Sequence, residues 1–191
     1  MSRKPILVLY ATREGHTRRI AEHLAATIRA RYLSAEVVDA RQLPPGFSLD
    51  SYEAAILTAS VHLGKHEPEM VEFVRRHHAE LERTPAAFLS VSLSEAGAED
   101  PAAPPGRRAQ SAADVERMIQ EFLSETAWHP SHIHAIAGAL MYTKYNFLVR
   151  FVMKMIAKRA GSSTDTSRDH EYTDWAALDH FVEELMLAVD Q

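Results

Sequence analysis

The stretch Ile6-Leu7-Val8-Leu9-Tyr10-Ala11, running without a break into Thr12-Arg13-Glu14-Gly15-His16-Thr17, decides how this chain folds. A continuous apolar run of that length, closed by a turn signal, predicts a strand buried on both faces, as in parallel sheets. Downstream, Ile20, Leu24, Ile28 and Tyr32 recur at helical spacing with Ala21 and Ala25 beside them, so one stripe can pack on the sheet. The 12–17 loop therefore joins a strand's carboxyl end to a helix's amino end. N–H groups without intrahelical partners and the helix dipole favour an anion there. Thr12 and Thr17 add hydroxyl donors, and Gly15 lets the backbone come close. The Thr-x-x-Gly-x-Thr spacing suits phosphate binding and equally an ordinary Thr12 helix cap; spacing alone does not choose. Other nucleotide loops are excluded, because seven glycines, at 15, 46, 64, 97, 106, 138 and 161, spell neither G-x-G-x-x-G nor G-x-x-x-x-G-K-[ST].

Composition narrows the class. With 191 residues and 46% apolar content, a single domain over residues 1–191 with one full core is expected. There is no cysteine, so disulfides, thiolate catalysis and Cys-ligated metals are all excluded, and redox chemistry would need a borrowed cofactor. The amino terminus lacks a signal-peptide succession, and no apolar stretch approaches the ~20 residues that span a bilayer. The expected location is cytoplasmic. A net charge of -5 argues against a nucleic-acid partner. Of the 11 histidines, His62/His66, His77/His78 and His129/His132/His134 match no familiar ligand spacing, so no metal is expected.

Residues 34–39 predict a short second strand and residues 54–60 a third, opening into the loop Val61-His62-Leu63-Gly64-Lys65-His66. Met70, Phe73, Val74, His77 and Leu81 then form the stripe of one helix, and a fourth strand covers 86–92. Residues 94–109, rich in Ala, Pro, Glu and Gly, have no periodicity and read as an exposed loop. A helix resumes near Ser111, with Ser111 and Asp114 as a capping arrangement; the fifth strand is 134–140, and Thr173 caps a last helix. Strands alternating with helices predict an α/β fold, a doubly wound five-stranded parallel sheet with helices on both faces. Ligands bind beyond the carboxyl ends of such strands, where the 12–17 loop, the 60–66 loop and Ser92-Leu93 gather.

One segment exceeds a minimal five-stranded design. Residues 142–159 carry Lys144, Arg150, Lys154, Lys158 and Arg159 and no acid. Arg150, Lys154 and Lys158 recur at i, i+4 and i+8 as a basic ridge, while Phe147, Leu148, Phe151, Val152, Met155 and Ile156 cover much of the rest. Such a helix packs into the core with its charges outside, or meets an apolar partner flanked by anions, a membrane surface or an acidic amphiphile. It is too short to cross a bilayer.

The 12–17 loop resembles the FMN phosphate loop of flavodoxins. Trp128-His129-Pro130, Ala137-Gly138-Ala139-Leu140-Met141-Tyr142, the basic insertion 142–160, Gly161-Ser162-Ser163-Thr164-Asp165-Thr166 and Tyr172-Thr173-Asp174-Trp175 look like the quinone-dependent protoporphyrinogen IX dehydrogenases, flavodoxin-like enzymes of haem synthesis. The resemblance covers nearly the whole chain. It implies non-covalent FMN, oxidation of protoporphyrinogen IX in three two-electron steps, and menaquinone or ubiquinone as acceptor. It also implies peripheral association with the inner face of the cytoplasmic membrane. Thr12, Arg13, Glu14, Gly15, His16 and Thr17 would hold the phosphate, with Ser60, Val61, His62, Leu63, Gly64, Ser92 and Leu93 along the ribityl chain and ring. This chain has His62-Leu63 where an aromatic would stack on the flavin, so His62 or Tyr142 is expected to cover the ring. His62 and His66 are the candidates for a base, though the flavin makes one optional. Lys144, Arg150, Lys154 and Lys158 would serve substrate propionates or membrane. A flavodoxin-like electron carrier and an NAD(P)H:quinone reductase share the fold and remain open, as does a homo-oligomer. A signalling receiver is disfavoured, because Thr12-Arg13 and Ala59-Ser60 stand where it needs acids.

Overall fold

The computed structural model describes residues 3–31, 33–141, 165, 167 and 169–189; Tyr142 and the basic segment 142–160 lie outside them, as does Tyr32. The opening run is strand β1 (Ile6–Ala11), buried along its whole length, and it leads into helix α1 (His16–Arg29). Strand β2 is Ala35–Asp39, β3 is Ala54–His62 and β5 is Ala86–Ser92. The edge strand β6 is His132–Ala137. These five pair in parallel in the order β2-β1-β3-β5-β6. A short strand β4 (Lys65–His66) folds back antiparallel on the end of β3.

Alternate residues of β1 serve opposite faces of the sheet, as a strand's two-residue period requires. Ile6, Val8 and Tyr10 pack with Ile20, Leu24 and Ile28 of α1 and with Leu178, Val182 and Leu185 of the last helix, α6 (Trp175–Val189). Leu7 and Leu9 face Met70, Phe73 and Val74 of α2 (Pro68–Arg76), together with Phe88, Phe122 and Trp128. Each such large apolar side chain stabilises the fold by about 1.5–3 kcal/mol through burial. Cover on both faces keeps the interiors of the central strands β1, β3 and β5 largely apolar, and the continuous runs in the sequence are the result.

Several local expectations change. The single helix over the 70–81 stripe breaks at His77 (φ -106, ψ 18) into α2 and a one-turn α3 (His78–Leu81). The 94–109 loop is largely helical, comprising α4 (Leu93–Glu99) and the first turn of α5 (Pro105–Thr126). Ser92 Oγ caps α4 by accepting from Glu95 N–H at 3.1 Å, and Pro105 starts α5 at a position that needs no N–H donor. Ser111, expected as a cap, is buried inside α5. The fifth strand starts two residues early and stops at Ala137; Ala139–Leu140 (β7) instead pairs antiparallel with His170–Glu171 (β8). Asp174, and not Thr173, caps α6 through Ala177 N–H at 3.0 Å, because the Thr173 hydroxyl donates to Ala137 O at 2.7 Å.

Candidate functional site

The carboxyl ends of β1, β3, β5 and β6 open on one edge of the sheet. Gly15 takes φ +87 at the N-cap of α1, a left-handed conformation that glycine adopts without a Cβ penalty. Its N–H donates to Thr12 Oγ1 at 3.1 Å, which folds the loop around the helix start. The first-turn amides of α1, which have no carbonyl four residues behind them, point into that turn. Thr12, Glu14, His16 and Thr17 line a cleft there. Ser60, Val61 and His62 at the end of β3, and Ser92 and Leu93 at the end of β5, also line it.

Four lining residues were not singled out in the sequence: Val91, Gly138, Ala139 and Met141. Gly138 N–H donates to Ser92 O at 2.9 Å, and a Cβ there would stand 3.4 Å from the Ser92 carbonyl and from Val91 Cγ1. The 137–142 string held the last three of these, but only the β5–β6 register turns that stretch toward the cleft.

The other predicted residues are placed differently. Arg13 does not line the cleft; its Nε–H donates to Glu67 Oε2 at 3.0 Å. His16 lines the cleft but is buried, with Nε2 2.7 Å from Thr173 Oγ1. Thr173 gives its own proton to Ala137 O, so His16 Nε2 carries the hydrogen. Glu171 Oε2 lies 3.9 Å from His16 Nδ1 and accepts from Arg19 Nη1 at 2.6 Å. His16 thus fastens the 12–17 loop to the segment entering α6. Leu63 and Gly64, with φ of 50 and 80, form the two-residue turn between β3 and β4, which sends the Leu63 side chain into solvent at 80% exposure. They do not line the cleft either. Holding leucine in that backbone region costs about 1 kcal/mol. His62 stays at the cleft, its Nδ1 3.7 Å from Glu14 Oε1.

His66 is turned inward. Its ring packs on Phe88 and Phe122, Nε2 lies 2.8 Å from Ser90 Oγ, and burial pulls its pKa down to about 4. It therefore drops out as a base candidate. Behind Ser92, burial and then the Glu99 charge raise the Glu95 carboxyl above the usual carboxylate range. Among the described residues no group of three metal-ligating side chains comes together, and no helix is long and apolar enough to cross a membrane.

Two threonine hydroxyls, a helix amino terminus and a glycine turn, followed by serine hydroxyls and apolar walls, fit a phosphate-bearing polyol with a flat apolar ring. The parallel order β2-β1-β3-β5-β6, with this cleft at its switch point, defines a flavodoxin-type mononucleotide domain. A family model described as a flavodoxin domain matches residues 7–167. Protoporphyrinogen IX dehydrogenase (quinone) of Escherichia coli (strain K12) is 32% identical over 185 residues, covering 97% of this chain and 96% of that protein. The protein of the same name from Leishmania major is 32% identical over 176 residues, 92% of this chain and 71% of that one. Oxidised flavodoxin 1 from Bacillus cereus superposes with a TM-score of 0.52 at 18% identity, covering 96% of this chain and 97% of that one. A flavodiiron core from Synechocystis sp. PCC6803 gives 0.56 at 10% identity, over 98% of this chain and 36% of that one. The chain belongs to the flavodoxin-domain family and, within it, to the quinone-dependent protoporphyrinogen IX dehydrogenases, a family of oxidoreductases. A flavin is the cofactor class that this fold implies.

Proposed function

We propose that the chain binds FMN in this cleft and oxidises protoporphyrinogen IX to protoporphyrin IX in three two-electron steps. A membrane quinone, menaquinone or ubiquinone, takes the electrons, in haem synthesis. The observation that carries the reading is similarity along 97% of the chain to a dehydrogenase of that name, coupled to a cleft whose donors suit a flavin phosphate. Each turnover removes two hydrogens from the macrocycle and reduces one quinone to quinol, so three quinones balance the six electrons.

When bound, FMN supplies the two-electron acceptor chemistry, which no side chain of a cysteine-free protein can provide. The protein's share is orientation and charge. Thr12, Thr17 and the α1 amides hold the phosphate, with the helix dipole adding about half a positive charge. Ser60, Val61, His62, Ser92 and Leu93 line the remainder. His62 faces the cleft with Glu14 beside it, so an imidazole is in place to take the pyrrole N–H proton, while Glu14 would stabilise the imidazolium.

With air excluded and FMN bound, purified protein should form fluorescent protoporphyrin IX only after a quinone is added. A colourless protein that rejects FMN, or turnover indifferent to quinone, overturns the reading. Steady NADPH oxidation would move the chain to the NAD(P)H:quinone reductases.

The proposal extends to a peripheral position on the inner face of the cytoplasmic membrane, where quinone is collected. Its support is the sequence of the basic segment, five cations without an acid among broad apolar residues. Replacing Arg150, Lys154 and Lys158 together with glutamine should weaken binding to anionic vesicles or raise the KM for porphyrinogen. If both stay at wild-type values, the ridge serves only the fold.

A further inference from the structure

We propose that Glu67 is a positioning residue that ties the phosphate loop to the end of β3 at Ser60 and sets the sense of the hydrogen bond Ser60 offers the cofactor. The proposal rests on the flavin reading above. Glu67 is 1% exposed, and its two carboxylate oxygens serve different loops. Oε2 accepts from Arg13 Nε–H at 3.0 Å and has Arg41 Nη2 at 3.9 Å. Oε1 accepts from Ser60 Oγ–H at 3.2 Å, and Glu67 N–H donates to Ser60 O at 3.1 Å. Glu67 precedes Pro68 at the N-cap of α2 with φ -56 and ψ 130, yet its side chain makes no capping bond to its own helix. A buried carboxylate is tolerated only when its oxygens find charged or hydrogen-bonding partners, and here its hydrogen-bonding side chains are Arg13 of the 12–17 loop and Ser60 at the end of β3, with Arg41 nearby.

The chemistry of Ser60 follows from proton counting. Its hydroxyl has one hydrogen, and both acceptors in reach, Glu67 Oε1 at 3.2 Å and Ala11 O at 3.4 Å, lie in the protein. Toward the cleft Ser60 Oγ presents lone pairs. It can accept from a ribityl hydroxyl but has no proton to give a phosphate oxygen. Arg13 commits its Nε–H to Glu67 in the same way. Glu67 thus couples the 12–17 loop to the end of β3.

Glu67→Gln keeps the volume but has one acceptor oxygen; if that oxygen stays with Arg13, the amide N–H must donate to Ser60 Oγ, which reverses the bond that Ser60 now donates. Fluorescence titration of apoprotein with FMN should show Kd rising on the order of tenfold. At saturating FMN the visible absorption of the bound flavin should shift, which a loss of general stability would not cause. Should that variant fail to fold, Arg13→Gln and Ser60→Ala carry the test, because both act through Glu67. Their combined effect on Kd should fall short of the product of the single effects. Unchanged Kd and spectrum in E67Q, or strictly multiplicative effects of the other pair, overturn the proposal. A wild type that takes up no FMN overturns the flavin reading and this inference with it; a wild type that binds while E67Q binds equally well overturns only the inference.

Discussion

Thr17→Val should weaken FMN binding roughly 10- to 100-fold while leaving the melting temperature nearly unchanged. Thr17 is 1% exposed in the first turn of α1 and lines the cleft beside Thr12. Valine fills the same volume, so packing against the sheet survives. What disappears is one hydroxyl donor to a phosphate oxygen, and hydrogen bonds to charged groups contribute about 1.5–3 kcal/mol. Riboflavin, which lacks the phosphate, provides the control: wild type and variant should bind it equally. Equal affinity of the two proteins for FMN would remove Thr17 from the phosphate contacts.

The second large effect concerns pH and His66. Between pH 7 and pH 4.5 the protein should lose about 2 kcal/mol of stability through this one imidazole. Burial against Phe88 and Phe122 disfavours the cation, so the folded pKa falls from the ordinary 6.5 to about 4. The unfolded chain therefore takes up the proton at higher pH than the folded one. The His66 contribution is complete above about pH 6.5 and is lost as pH falls toward 4. His66→Gln retains a polar atom for Ser90 and cannot ionise, so its urea midpoint should vary less over the same range. Parallel pH profiles for the two proteins would contradict the assignment. The mutation also separates stability from turnover, since His66 is away from the cleft and His62 is on it.

The frame of the fold was legible because it rests on local signals. A strand buried on both faces must be apolar throughout, and Ile6–Ala11 is. A helix covering a sheet must show a 3.6-residue stripe, as Ile20, Leu24 and Ile28 do. Where an element lacks either signal the sequence misleads. Leu93–Glu99 and the first turn of Pro105–Thr126 are short of apolar stripe, and their Ala, Gly and Pro content imitates a loop; capping by Ser92 and the proline at the start of α5 make them helical. Threonine is a common cap, but the Thr173 hydroxyl donates to Ala137 O at 2.7 Å.

Site residues divide along the same line. Thr12, Glu14, His16, Thr17, Ser60, Val61, His62, Ser92 and Leu93 line one cleft, because each sits at or near a strand's carboxyl end and the parallel topology converges those ends. Arg13, His66, Leu63 and Gly64 belong to the same loops yet serve other surroundings. Glu67 gave no motif at all, since its importance comes from Arg13, 54 residues away, and Ser60, seven residues away.

The sequence by itself determined the layered architecture, the cofactor class and the loop that would take the phosphate. Periodicity, turn chemistry and a helix amino terminus are properties of neighbouring residues. Only the tertiary structure decided which side chains in that loop face the cleft. Arg13 and His16 could each reach outward or inward, and the choice was made by a buried carboxylate from the start of α2 and a hydroxyl from the start of α6. A charged or polar side chain near a core goes where its hydrogen-bonding groups are satisfied at least desolvation cost. That partner is brought close by folding, so it is not written beside the residue it holds.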